Sequence, residues 1–254
     1  MARIRRKPLR LESLESRDVP ASFLVNTTQD LVNLGGTNVM SLREAIRLSN
    51  GTPFEDNIVS VPAGTFTLTR SGTDALDTPN IEIGDLDVQP TGGYTLWLIG
   101  AGKDQTIIDA AGIDRIFDVH PGAELLIIDA TLRGGSSSFG GAVPNPGPVA
   151  LPNSNVTGNT ATLRGGAVDN NGSAATFASQ DTLFENNFAG TSTTSGGLGG
   201  AISNSGTMQI NDAVFRNNRT GSLGSGGAIH ARGGPTIPIT SLFAANPAGL
   251  GGGI

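Results

Sequence analysis

Asp109, Asp114, Asp118 and Asp129, together with Arg115 and Arg133, are the residues whose types and spacing could do chemistry. Carboxylates converging on Ca2+, with an arginine placed to take the proton beside a uronate carboxylate, are the working parts of a polysaccharide lyase. Asp109, Asp118 and Arg133 are the set on which a carbohydrate-active reading rests, because the repeat described below could bring some of these positions to one face. Each aspartate, however, follows an apolar run or stands in a turn, where a short carboxylate bonds to the local backbone. That structural role is the preferred reading.

Other candidates are thinner. A second group of carboxylates, Asp74, Asp77, Glu82, Asp85 and Asp87, falls in a less patterned acidic stretch, and Asp85 and Asp87 are the positions at which Ca2+ could be held. The stretch lacks the regular Asp-x-Asp-x-Asp-Gly spacing of a dedicated loop, so a solvated insertion over 70–91 is expected and no cofactor is assigned. His120 and His230, the only histidines, each stand before or in a turn and read as solvated. A glycosidase would need two carboxylates facing each other across roughly 5 to 9 Å. No glycine loop ends in Gly-Lys-Ser/Thr, so a phosphate cradle of that kind is excluded.

The elements that must position these residues are written in the composition. With 37 glycines and 14 prolines in 254 residues, and only 15% charged residues, the chain suits many short strands and tight turns better than a helical bundle. Absence of cysteine rules out disulfides and thiolate metal sites. The formal net charge of -6 hides a basic head, where Arg3, Arg5, Arg6, Lys7, Arg10 and Arg17 outweigh Glu12 and Glu15. The acidic remainder argues against nucleic acid as a partner. No apolar run reaches the roughly 18 to 20 residues of a membrane span.

Phe184, Phe215 and Phe243 are each followed three residues later by Asn187, Asn218 and Asn246, and Val156 with Asn159 fills the same slot. Leu132, Val156, Phe184, Phe215 and Phe243 recur at intervals of 24, 28, 31 and 28 residues, the period of a solenoid. Counting back seven, five and two residues from Phe215 gives Met208, Ile210 and Ala213, and from Leu132 gives Leu125, Ile127 and Ala130. That spacing of two is strand periodicity, so the coils predict a parallel β-helix and exclude helical repeats. Val143, Val168, Ile202 and Ile229 follow the glycine pairs and form one aliphatic ladder, and the three phenylalanines form another. The asparagines stand at turns, where Asn tolerates left-handed φ and can bond its counterpart one coil away. Residues 22–134 read as cap and first coils, and 135–254 as the repeats. "SLREAIRLSNG" predicts a short amphipathic helix, with a Ser41-x-x-Glu44 capping box and a stop at Asn50-Gly51, that lids the apolar end.

These stretches resemble known ones. "MSLREAIRLSN" is similar to the Cys-Ser-Leu-Arg-Glu-Ala motif that opens many secreted bacterial β-helix proteins, with Met40 in place of the Cys. "GDLDVQPTGGYTLWLIGAGKDQTIIDAAGIDRIFDV" looks like the blocks that follow it there, and the Gly-Gly-Ala-Ile and Phe-x-x-Asn repeats resemble those of chlamydial polymorphic outer membrane proteins. "LRLESLESRDVPA" resembles the N-terminal motif of exported planctomycete proteins, so 1–21 is expected to be a disordered targeting arm. The resemblance implies a right-handed, pectin-lyase-like β-helix, all-β, found outside the cell or on its surface. It leaves the activity mostly undefined; because nearly all recognisable residues are spent on ladders, turns and a cap, a noncatalytic structural or adhesive module is expected, with glycans or other surface proteins as partners, and the alternatives are a divergent carbohydrate-active β-helix or an inactive fragment of a larger surface protein. The Asp-Asp and Gly-His-Gly blocks of β-helix polygalacturonases are missing, and "GLGGGI" stops in mid-repeat, where a longer protein would carry further coils.

Overall fold

A computed structural model describes residues 20–32, 35, 38–52, 55–72, 81–89, 92–191, 196–233 and 240–249. The period-two apolar runs become short strands that pair in parallel, coil upon coil, to form a parallel β-helix. Face A stacks Ala21–Leu24, Asn57–Val61, Thr95–Gly100, Glu124–Ile128, Pro148–Pro152, Thr176–Gln180 and the first half of Thr207–Arg216. Face B stacks Gly64–Thr67, Thr106–Asp109, Thr131–Arg133, Asn155–Thr157, Leu183–Glu185, the second half of Thr207–Arg216 and Thr240–Ala244. Face C stacks Leu86–Val88, Phe117–Val119, Val143–Asn145, Val168–Asn170, Ile202–Asn204 and Ile229–Ala231; the Phe117 N–H donates to Ala142 O to join its two parts. A narrow fourth ladder links Ser136–Phe139, Thr160–Arg164, Phe188–Ala189 and Arg219–Thr220. Ala21 already belongs to the first strand, one residue inside the arm expected from the sequence; the rest of the arm's basic residues lie outside the described residues.

The inward set is the one the repeats mark. Leu125, Val149, Phe177 and Met208 lie in register on face A, and Leu132, Val156, Phe184, Phe215 and Phe243 on face B. All are buried in one continuous core except Phe243, which packs against it half-buried. Parallel strands about 4.8 Å apart hold the phenylalanine rings at the same interval: Phe184 and Phe215 stack with centroids 4.7 Å apart, and Phe215 and Phe243 at 4.8 Å. Phe215 therefore contacts a ring on each side. Phe215→Leu is expected to cost about 1–2 kcal/mol through lost ring contact and residual cavity, read as a lower denaturant midpoint.

The Gly-Gly pairs do what the repeat requires. Gly199 has φ +67°, and a Cβ on Gly200 would lie 2.0 Å from the carbonyl oxygen of Gly227 on the next coil. The first glycine turns the corner and the second lets adjacent coils meet.

The Phe-x-x-Asn motif closes on a buried amide ladder. Asn159 Nδ2 donates to Asn187 Oδ1 at 3.1 Å, Asn187 Nδ2 to Asn218 Oδ1 at 2.9 Å, and Asn218 Nδ2 to Asn246 Oδ1 at 3.1 Å. Each side chain also accepts from the backbone N–H of its counterpart one coil earlier, or, for Asn159, from the Gly135 N–H. The left-handed residue is not the ladder asparagine, as the sequence suggests, but the one before it: Asn186 and Asn217 both have φ +56°. In "Asn-Asn" the first residue bends the chain and the second, thus aimed inward, bonds. A second ladder, Asn145–Asn170–Asn204, lines face C and is not apparent from the repeat motif.

The helix Leu42–Asn50 forms as expected, with the Ser41 hydroxyl accepting from the Glu44 N–H at 3.0 Å, and the Glu44 carboxylate engaging Arg47. Leu42, Ala45 and Ile46 join the core, and the helix packs on the first strands of faces A and C. Arg43, on the same helix, is completely buried. Its guanidinium meets both carboxylate oxygens of Asp30 and donates to the carbonyls of Ile81, Gly84 and Asp85. Asn50 adds a second tie: its amide donates to Asp87 O and accepts from the Gln89 N–H. Residues 81–89 are thereby drawn into the body, so this part of the acidic stretch is a strand and its flanks, with Asp85 and Asp87 buried, and not a solvated insertion. Asp74 and Asp77 lie outside the described residues.

Candidate functional site

Face C is where ionisable side chains collect. Its strands are three residues long; the first residue of each is buried, and so is the third in all but Ile229–Ala231, so the middle residue leaves on the outer side. Asp87 stands in register with Asp118, and Pro144, Asp169, Ser203 and His230 continue the outer row. Beside the row lies a cavity of about 480 Å³ lined by Arg115, Asp118, His120, Phe139, Arg164 and Asp169 among others. The Arg164 guanidinium sits 4.6 Å from the centre of the Phe139 ring and 3.1 Å from Asp169 Oδ2.

The N-terminal end of this groove is densely charged. Arg115 bridges Asp85 Oδ2 at 3.2 Å and Asp118 Oδ2 at 3.3 Å. His120 Nε2 lies 2.7 Å from Asp87 Oδ1 and 3.9 Å from Asp118 Oδ2. Asp87, Asp118 and His120 each offer a ligand atom within 4.8 Å of the others, which is the spacing of groups able to share one ion. Burial, reinforced by the neighbouring Asp87, Asp114 and Asp118 charges and only partly offset by Arg115, pushes the Asp85 carboxyl up to about 8. Burial likewise raises Asp169 against the opposing pull of Arg164.

A folded-state value above that of the unfolded chain makes the folded protein hold its proton longer. Stability from Asp85 is therefore present below about pH 4 and falls as pH rises toward about 8. Asp85→Asn, which cannot ionise, is expected to flatten this slope and to stabilise the protein by about 1–2 kcal/mol at the alkaline end, with little change at pH 4. Thermal unfolding of both proteins across that range, in chelator, checks it; parallel curves would refute it.

The proposed lyase set is not assembled. Asp109 and Arg133 pair with each other at 2.8 Å on face B, whereas Asp118 stands on face C beside Arg115 and His120. Asp109 Oδ1 also accepts from the Ala111 N–H, and Asp114 Oδ1 from the Arg115 N–H, which are the local backbone bonds expected of turn aspartates. Asp129 occupies a left-handed corner at φ +59° and receives the Asn153 amide one coil on. The histidines depart from expectation: both are half-buried, His120 against Asp87 and His230 near Ser225 Oγ.

Asp169 and Arg164 are not among the residues that the sequence motifs single out, although a signal is present. "Leu86-Asp87-Val88", "Phe117-Asp118-Val119" and "Val168-Asp169-Asn170" share an apolar residue before Asp, and extending the aliphatic ladder by one position reads the whole outer row. No protein-family model, curated protein or solved structure matches this chain.

Proposed function

We propose that this chain is an exported β-helix that serves as a noncatalytic structural or adhesive module at the cell surface. The observation that carries the reading is where the polar residues go. Asp109 with Arg133, Asp129 with Asn153, Glu185 with Arg216 and both asparagine ladders bond one coil to the next. Such side chains build a stiff, repetitive body, and face C remains as a lateral groove suited to a polar ligand such as a glycan or a surface protein. The likeness of Leu9–Ala21 to an export motif, and of the repeats to polymorphic outer membrane proteins and other pectin-lyase-like β-helices, supports the location. No helix among the described residues is long and apolar enough to cross a membrane.

Two readouts test it together. Antibody against the chain should label intact cells, and the purified protein should leave pectate, alginate and other glycans uncut in the presence of Ca2+. A strictly internal location would refute the surface role, and turnover abolished by Asp118→Ala would refute the noncatalytic one.

A further inference from the structure

We propose that Asp87, Asp118 and His120 form a binding site for one first-row transition-metal dication, such as Zn2+ or Co2+, at the N-terminal end of the face C groove. The three residues come from two adjacent coils: Asp87 from one strand, Asp118 and His120 from the strand paired with it and the residue just beyond that strand. Their ligand atoms lie within 4.8 Å of one another.

A cluster of this kind can be held together by its own hydrogen bonds, so a further observation decides. Asp87 is only 2% exposed, and its Oδ2 has no hydrogen-bond partner among the described residues, while Oδ1 faces His120. A buried carboxylate oxygen left without a donor costs about 1–3 kcal/mol or more, and proteins seldom leave one so placed unless something else satisfies it. The surroundings do not supply that compensation as charge. Asp85, Asp114 and Asp118 meet the Arg115 guanidinium at 3.2, 3.8 and 3.3 Å, and Asp87 lies in register beside Asp118, an excess of negative charge around one guanidinium. A dication neutralises that excess.

The distances suit the ion. Ligands about 2.0–2.2 Å from a four-coordinate metal lie roughly 3.3–3.6 Å apart. The observed 2.7 Å between Asp87 Oδ1 and His120 Nε2, and 3.9 Å between His120 Nε2 and Asp118 Oδ2, bracket that value, so small side-chain rotations would close the shell. Metal at Nε2 takes the place of the hydrogen bond to Asp87, with the imidazole proton carried on Nδ1. Arg115 competes with the ion for Asp118 Oδ2 and has Asp85 as its alternative partner. Access is provided by the cavity, which Asp118 and His120 line.

The donor set chooses the metal. One imidazole nitrogen with two carboxylates suits Zn2+ and Co2+, whereas Ca2+ and Mg2+ favour all-oxygen shells with more ligands. This differs from the Ca2+ considered at Asp85 and Asp87 from sequence: Asp85 turns to Arg115, and a histidine takes its place.

The test uses the untagged full chain, stripped with a chelator and titrated with CoCl2 by visible absorption and calorimetry. Binding of one equivalent is expected, with ligand-field bands that Zn2+ abolishes and Ca2+ in tenfold excess does not. His120→Gln and Asp87→Asn should each weaken Co2+ binding by about 30-fold or more, while His230→Gln leaves it unchanged. Absence of saturable binding, displacement by Ca2+, or equal affinity in His120→Gln would overturn the proposal. Should Asp87→Asn fail to fold, as circular dichroism would show, cobalt-edge X-ray absorption of the wild-type chain decides instead. A shell with one imidazole that disappears in His120→Gln supports the site, and a shell without imidazole refutes it.

Discussion

Arg43→Ala is expected to destabilise the N-terminal coils by about 3–5 kcal/mol, the cost of removing one member of a buried ion pair and leaving the other. Arg43 is fully buried and the Asp30 side chain 2% exposed, so water does not replace the lost guanidinium. Asp30 would retain the N–H groups of Thr69 and Arg70, but the carbonyls of Ile81, Gly84 and Asp85 would lose the donor that gathers them. Arg43→Lys should recover less than half of the loss, because one ammonium cannot span two carboxylate oxygens and three carbonyls at once. Coils of a solenoid touch only their neighbours. The loss should therefore appear as early melting and amide exchange over residues 81–89, and not as uniform softening. An unfolding free energy within about 1 kcal/mol of wild type would show that the network is dispensable.

Asn218→Ala should cost about 3–4 kcal/mol, from several buried hydrogen bonds lost together and the partners left unsatisfied. Its amide donates to Phe184 O and Asn246 Oδ1, and its Oδ1 accepts from both the side chain and the backbone N–H of Asn187. Two comparisons separate this ladder role from a general effect of losing asparagine. Asn145 sits at the end of the second ladder with its Oδ1 unpartnered among the described residues, so Asn145→Ala should cost only about 1–2 kcal/mol. Asn217, one residue from Asn218, holds the left-handed corner, and glycine would keep both that conformation and the N–H bond to Ala244 O, so Asn217→Gly should change stability by less than about 0.5 kcal/mol. Denaturant midpoints of the three variants check the order; equal losses at Asn217 and Asn218 would contradict the division of labour.

Much of the architecture is legible in the sequence alone. Met208 and Ile210 alternate in the first half of the strand Thr207–Arg216, and Ala213 and Phe215 in the second, and that alternation alone sends these residues inward. Gly199 and Gly200 mark a corner because no other residue fits both the turn and the close approach of Gly227. Ser41 and the amphipathic stripe likewise define the helix within a few residues.

The site was not legible in the same way. Asp109, Asp118 and Arg133 look like one set along the chain, yet Asp109 and Arg133 meet only each other, and Asp118 meets Arg115 and lies close to His120. Nothing in the helix signature marks Arg43, which is buried by its bonds to Asp30 and to the carbonyls of the 81–89 segment. Sequence by itself determined what each residue does within its own strand or turn, because strand alternation, turn conformations and helix capping act over a few residues. Tertiary structure alone decided which outward side chains become neighbours. Those meetings cross coils of unequal length, and burial then fixes which charges pair, which carboxyl holds its proton to higher pH, and which polar atoms, like Asp87 Oδ2, are left without a hydrogen-bond partner among the described residues.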